Sequence, residues 1–281
     1  MHRPAFAAHL KATTLSGSNK GTSYLRALDL LQKMLAADPI GFDDCRDLWQ
    51  VTSVERLHAL QAQVRLEQQA GDKSVWNREG ISKSYLQNGY CSAALTNYVD
   101  FLVELQYSSA LLEAFETHQG SEESVVEKLN LPLQYPVSLL EDLSSTEGKE
   151  VIREVKTRVN QRVFRDIILK IYNQRCCLTG LDVPEVNRAS HIIPWAEDKS
   201  IRLDPRNGLC LSATYDAAFD RHLITLDDDF RVVLSTDLKE RYSSESFQEH
   251  FLKKEGARIQ LPMAYHPKQA YLDSHRASGN F

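Results

Sequence analysis

The sequence predicts an α+β protein, a helical N-terminal domain followed by a small unit of short strands around one helix. Three observations carry this. Apolar residues recur at helical spacing through the first ~145 residues. Between residues 176 and 234 the pattern changes to short β-like runs. A polar stretch between the two, Ser144-Ser145-Thr146-Glu147-Gly148-Lys149-Glu150, reads as a linker. The domains expected are 1–143 and 151–281, with a motif core at 175–235.

The elements follow in order. Tyr24 to Leu35 carries Leu25, Leu28, Leu30, Leu31, Met34 and Leu35 at helical spacing. Thr52-Ser53-Val54-Glu55 reads as a capping box, with Leu57, Leu60, Val64 and Leu66 behind it. Asn88-Gly89 punctuates the chain before an amphipathic segment from Ser92 to Leu105. Two further helical stretches run at 110–117 and 122–129, and this region shows no metal cluster, glycine-rich phosphate loop or internal repeat. A helix from about Ile152 to Tyr172 places Val155, Val159, Val163, Ile167 and Ile171 on one face. The β-like runs are Cys177–Thr179, Ala189–Ile193, Gly208–Leu211, Leu223–Leu226 and Arg231–Leu234, around a short helix near Thr214–Arg221. Asp227-Asp228-Asp229 falls between two of these runs and reads as a hairpin turn. From Asp237 the chain turns helical again, and Pro267 to His275 is expected to pack back on the body.

Composition narrows the class. Of 281 residues, 25% are charged and 42% apolar, as in an ordinary globular protein. No apolar run approaches the roughly 20 residues that span a bilayer, and the opening Met1-His2-Arg3-Pro4-Ala5-Phe6 lacks a secretory pattern. The expected location is cytoplasmic, without a membrane. Five scattered cysteines suit reduced thiols better than a disulfide framework. The net charge of −5 argues against nucleic acid until its distribution is read. Residues 1–150 hold 13 Lys/Arg against 20 Asp/Glu, whereas 151–281 hold 20 against 18. Between 151 and 176, Arg153, Lys156, Arg158, Arg162, Arg165, Lys170 and Arg175 face only Glu154 and Asp166. Such a basic stripe is either a solvated helix face or a seat for a phosphate backbone. The nucleic-acid candidates are Arg153, Arg158, Arg162, Arg165 and Arg175.

The chemistry concentrates in one block: Ser190-His191-Ile192-Ile193-Pro194-Trp195, then Asn207-Gly208-Leu209-Cys210-Leu211, then Tyr215-Asp216-Ala217-Ala218-Phe219-Asp220-Arg221-His222. A histidine closing an apolar run, an asparagine opening a second and a polar cluster at helical spacing can supply a base, a residue that holds it, and ligands for one metal ion. Asp216 and Asp220 are four apart and share a helix face, with His222 nearby. Oxygen-rich ligation of this kind suits Mg²⁺ or Mn²⁺ better than Zn²⁺. Trp195 is expected either to stack on a base or sugar or to form a wall of the core.

Residues 175–235 resemble the His-Asn-His (HNH) endonucleases, which have a ββα-metal fold. The likeness rests on Cys176-Cys177-Leu178-Thr179-Gly180, Ser190-His191-Ile192-Ile193-Pro194-Trp195, Asn207-Gly208-Leu209-Cys210-Leu211 and Phe219-Asp220, in order and covering about a fifth of the chain. It implies that His191 is the general base that deprotonates the attacking water. It implies that Asn207 orients that imidazole through its side-chain amide. It also implies a divalent metal at the phosphate and the leaving 3′ oxygen, with Asp216, Asp220 and His222 as candidate ligands here. Two positions depart from the family pattern. Ser190 stands where many members carry an aspartate ligand, and Tyr215 where many carry a helical histidine. Cys176 and Cys210 match family positions singly and read as buried packing thiols. The implied function is a metal-dependent endonuclease acting on DNA. Fusion to an unrelated domain resembles restriction and phage-defence nucleases. Two alternatives stand beside it: a catalytically weak DNA-binding module, and a nuclease recruited by a protein partner through the acidic N-terminal domain.

Overall fold

A computed structural model describes residues 2–14, 17–129 and 146–281, and, in the helix that opens at Thr146, the side chains from Lys156 onward. It divides into two compact units. The first is built on Met1–Tyr107. The second runs from Ser108 through the helix ending at Leu129, and again from Thr157 to Phe281. The stretch 108–129 thus packs with the nuclease-like motif rather than with the residues before it. No described helix is long and apolar enough to cross a membrane.

The first unit contains α1 (Arg3–Thr13), α2 (Lys20–Ala37), α3 (Val54–Ala70), α4 (Ser84–Gln87) and most of α5 (Tyr90–Glu116). Its helices bury the expected apolar stripes: Leu28, Leu31, Met34 and Leu35 from α2, and Leu57, Leu60 and Val64 from α3. Leu66, expected on the same stripe, is 58% exposed. The α3 cap is Ser53, whose hydroxyl accepts from the Arg56 amide, one residue later than a box headed by Thr52. The segments Ser92–Leu105 and 110–117 fuse into the single helix α5, which ends at Glu116.

In the second unit, α6 (Glu122–Leu129) lies where expected. Helix α7 (Thr146–Ile171), which belongs to this unit from Thr157 onward, takes residues 146–150 from the expected linker into its first turns. Val159, Val163, Phe164, Ile167 and Ile168 bury one face of α7. Behind it lie β1 (Asn187–His191) and β2 (Gly208–Ser212), antiparallel, with His191 opposite Gly208. Helix α8 (Ala213–Asp220) follows directly, then the hairpin β3 (Ile224–Leu226) and β4 (Val232–Leu234). The aspartate run closes that hairpin as a turn, Asp227 Oδ1 accepting from the amides of Asp229 and Arg231. Cys177–Thr179, expected as a strand, is a turn tied to β2 by the Cys177 amide on Cys210 O at 2.8 Å. The chain then forms α9 (Thr236–Arg241), α10 (Glu245–His250) and α11 (Gln269–Ala277), and α11 packs against β3.

Close packing sets the depth of the hairpin. A Cβ on Gly208 would stand 2.4 Å from Ile168 Cδ1 and 2.7 Å from Phe164 Cζ. The glycine lets β2 approach α7, and so brings His191, paired across from it, onto the same helix.

Candidate active site

His191 ends β1 and lies flat against Phe164 of α7, ring centroids 3.6 Å apart, with Trp195 edge-on at 5.3 Å. Its Nε2 is 3.1 Å from the Arg202 carbonyl. A carbonyl only accepts, so Nε2 carries the proton and Nδ1 carries the lone pair. Among the described residues nothing hydrogen-bonds to Nδ1. Burial pushes the imidazole pKa down to about 4, more than the Arg202 carbonyl raises it. The free ring is therefore neutral at neutral pH and can accept a proton there.

The Asn207 side chain makes no hydrogen bond to the imidazole among the described residues. Its Oδ1 accepts from the Ile193 amide at 2.8 Å and its Nδ2 donates to the Ile193 carbonyl at 3.2 Å. The side chain thus locks the backbone two residues beyond His191, and any orientation of the ring is transmitted through that loop. Asn207 itself is buried at the end of a short 3₁₀ turn, Pro205–Asn207. Asp204, 1% exposed, caps the turn through the Arg206 amide and holds the Arg206 guanidinium, which also reaches Glu123 of α6.

The cleft beside β1 has a volume of about 640 Å³ and is lined by Arg165, Ser190, His191, Asp216, Asp220 and His222, so five predicted site residues meet there, all but Ser190. Asp216 and Asp220 project from α8 toward Ser190. Partial desolvation raises both carboxyl pKa values, that of half-buried Asp216 and that of exposed Asp220, and Asp216 raises that of Asp220 further. Ser190 Oγ is buried without a hydrogen-bond partner. It lies outside bonding geometry yet close enough for its hydroxyl to draw both carboxyl pKa values back down. His222 adopts a left-handed backbone, φ 52°, and its Nδ1 is likewise buried and unpartnered.

These residues fit a hydrated hard cation. Two crowded carboxylates and an orphaned hydroxyl form an oxygen-rich donor set, and Mg²⁺ commonly takes one or two carboxylates and keeps its waters. The predicted trio is not a closed chelate: among the described residues, no three His, Cys, Asp or Glu side chains gather closely enough to hold one ion. Tyr215 faces away from the cleft, its hydroxyl donating to the His250 carbonyl at 2.6 Å. The cysteine matches are buried thiols, and burial pushes Cys210 up to about 12.

The basic stripe is used unevenly. The side chain of Arg153 lies outside the described residues. Arg165 is structural, its guanidinium donating to the carbonyls of Asn187 at 2.7 Å and Pro184 at 2.8 Å, which braces the entry to β1. Arg162 pairs with Asp166 and Arg175 with Asp182, both with half-exposed guanidinium groups. Arg158 is half-buried on α7 and has an interaction of its own. Four lining residues were missed by sequence reasoning: Phe164, Gln161, Arg188 and His275. The alternation of β1 places Arg188 on the same side as Ser190, and that was the available signal for it. His275 comes from α11 and stacks on Phe219 at 3.8 Å, a long-range pairing without a local pattern.

A β-hairpin followed at once by a helix, with an imidazole and two carboxylates turned into one cleft, defines a site suited to hydrolysis. Residues 176–227, which hold His191, Asn207, Asp216, Asp220 and His222, match the family model described as HNH endonuclease. This segment is an HNH endonuclease domain, and such a domain suggests nuclease activity on nucleic acid. No curated protein matches the chain.

Proposed function

We propose that the protein is a divalent-metal-dependent DNA endonuclease that hydrolyses phosphodiester bonds at the β1–α8 cleft. The observation that carries the reading is the unbonded Nδ1 of a neutral His191 in a cleft shared with Asp216 and Asp220. In this reading Nδ1 takes a proton from water, the water oxygen forms the new bond to phosphorus, and the bond from phosphorus to the 3′ oxygen breaks. Asp216 and Asp220 would hold the divalent ion, which supplies positive charge to a phosphate oxygen and to the leaving oxygen. Mg²⁺ or Mn²⁺ suits this donor set better than Zn²⁺. Phe164 and the Arg202 carbonyl keep the imidazole in one orientation and one tautomer. Asn207 keeps the loop after it in register.

The nuclease function is assigned to residues 151–281 and targeting or regulation to the helical region within 1–143. The acidic balance of the first 150 residues favours recruitment of a partner protein over broad contact with a phosphate backbone. A cytoplasmic restriction or phage-defence nuclease fits this division. The test is incubation of supercoiled plasmid with the purified protein in Mg²⁺, in Mn²⁺ and in excess chelator. Nicking or linearisation in either ion but not in chelator is expected. Equal cutting in chelator contradicts the metal assignment. Tight DNA binding without cutting in any ion supports a DNA-binding module instead.

A further inference from the structure

We propose that Arg188 is a catalytic residue of this cleft, its guanidinium binding the non-bridging oxygens of the phosphate under attack. The inference rests on the nuclease reading above and adds to it a residue outside its base, its carboxylates and the α7 stripe. Arg188 is exposed and lines the cleft with His191 and Asp216. It makes no hydrogen bond, and no ion pair within 4.0 Å, among the described residues.

The neighbouring arginines are committed. Arg165 lines the same cleft but spends its guanidinium on two carbonyls. Arg202 donates to the Trp195 carbonyl at 2.8 Å and lies 4.7 Å over that ring. Arg221 donates to the Ala217 carbonyl. Arg188 is therefore the uncommitted guanidinium among the described cleft residues, and a planar fork of N–H donors matches the oxygens of a phosphate.

Its position on the strand suits that role. Arg188 and Ser190 alternate onto one side of β1, opposite Leu211 and Leu209 of β2, and that side faces α8. Arg188 thus stands within electrostatic reach of Asp216, where its charge opposes part of the rise that burial gives that carboxyl. Three residue steps along β1 set its Cα about 10 Å from that of His191, a span that a phosphate and an extended arginine fill together. The cleft then presents a base at one end, carboxylates along one wall and a cation beside them. The competing role is a counter-charge that merely steadies the carboxylate pair.

The test uses the full chain as Arg188→Ala and Arg188→Lys. Binding to a short DNA duplex is measured in chelator against salt concentration, and single-turnover plasmid cleavage is measured in Mn²⁺. Arg188→Ala should lower the slope of log affinity against log salt by about 0.9, one phosphate contact. It should slow saturated cleavage by about 10²-fold, the usual loss for one donor to a developing charge. Arg188→Lys should keep the salt slope while cutting more slowly than wild type. The Mn²⁺-induced rise in melting temperature should be unchanged in both variants. A wild-type salt slope with wild-type cleavage in Arg188→Ala overturns the proposal, as does loss of the Mn²⁺-induced rise, which assigns Arg188 to the carboxylates. The slope does not depend on cutting. A wild-type protein that fails to cut therefore refutes the nuclease reading alone, while the slope still decides whether Arg188 contacts phosphate.

Discussion

His191 illustrates how a single hydrogen bond selects which nitrogen is free for chemistry. The Arg202 carbonyl takes the Nε2 proton and burial keeps the ring neutral, so the lone pair rests on Nδ1. The opposite problem governs Asp216 and Asp220, two carboxyls whose pKa values are raised by partial desolvation. A carboxyl with a folded-state pKa above its unfolded value favours folding below that unfolded value and loses this contribution as pH rises through the folded one. Ionisation of the pair therefore weighs against the fold. Asp220→Asn should raise the melting temperature in chelator, and it should shrink the further rise that Mn²⁺ gives the wild type by mass action. A lower melting temperature in chelator, or an undiminished Mn²⁺ rise, would count against a cation site between these carboxyls. Sequence motifs located the histidine and both aspartates because each sits in a dense local pattern. They did not reveal the contacts of Asn207 or Arg165, since both side chains bond to backbone carbonyls or amides whose positions exist only after folding.

The hairpin β1–β2 is the element on which the cleft depends, and Gly208 is its tightest point. Any side chain there meets Phe164 and Ile168, and Phe164 is the surface against which His191 lies flat. Gly208→Ala should destabilise the protein by about 1–3 kcal/mol through overpacking and should slow cleavage as well, by shifting Phe164 under the imidazole. Thermal unfolding and single-turnover cleavage check both parts, and an unchanged melting temperature would refute the close approach. Helices α2, α3, α6 and α7 were readable from apolar spacing because each buries one stripe. The continuity of α5 was not, since the polar run Gln106-Tyr107-Ser108-Ser109 resembles a break. Cys177–Thr179 looked like a strand from its apolar residues, but its backbone bonds make a turn. The Gly180 amide returns to Cys176 O, and the Gln260 amide reaches Cys177 O from far along the chain. Propensity carries no information about such distant partners.

Across the molecule, charge and packing divide the chain differently. The surplus of acidic residues ends near residue 150, whereas compact packing groups 108–129 with the motif. Within that unit Glu123 of α6 holds Arg206, and Glu122 accepts from the Tyr265 amide at 2.7 Å. Composition can locate a change in electrostatic character, but it cannot show that a short acidic helix from one region supports the arginine beside Asn207 in another. The functional claim finally rests on one imidazole in one cleft. Its most direct test is the single-turnover rate of plasmid cleavage by wild type and His191→Ala, in saturating Mn²⁺, at matched melting temperatures. The ring packs on Phe164 and Trp195, so His191→Gln serves as a second variant with more of the side-chain volume retained. Removal of a general base should slow cleavage by about 10²–10⁴-fold in both folded variants, while the salt dependence of DNA binding stays that of the wild type. Folded variants that cut at the wild-type rate would contradict the assignment of His191 and the mechanism built on it.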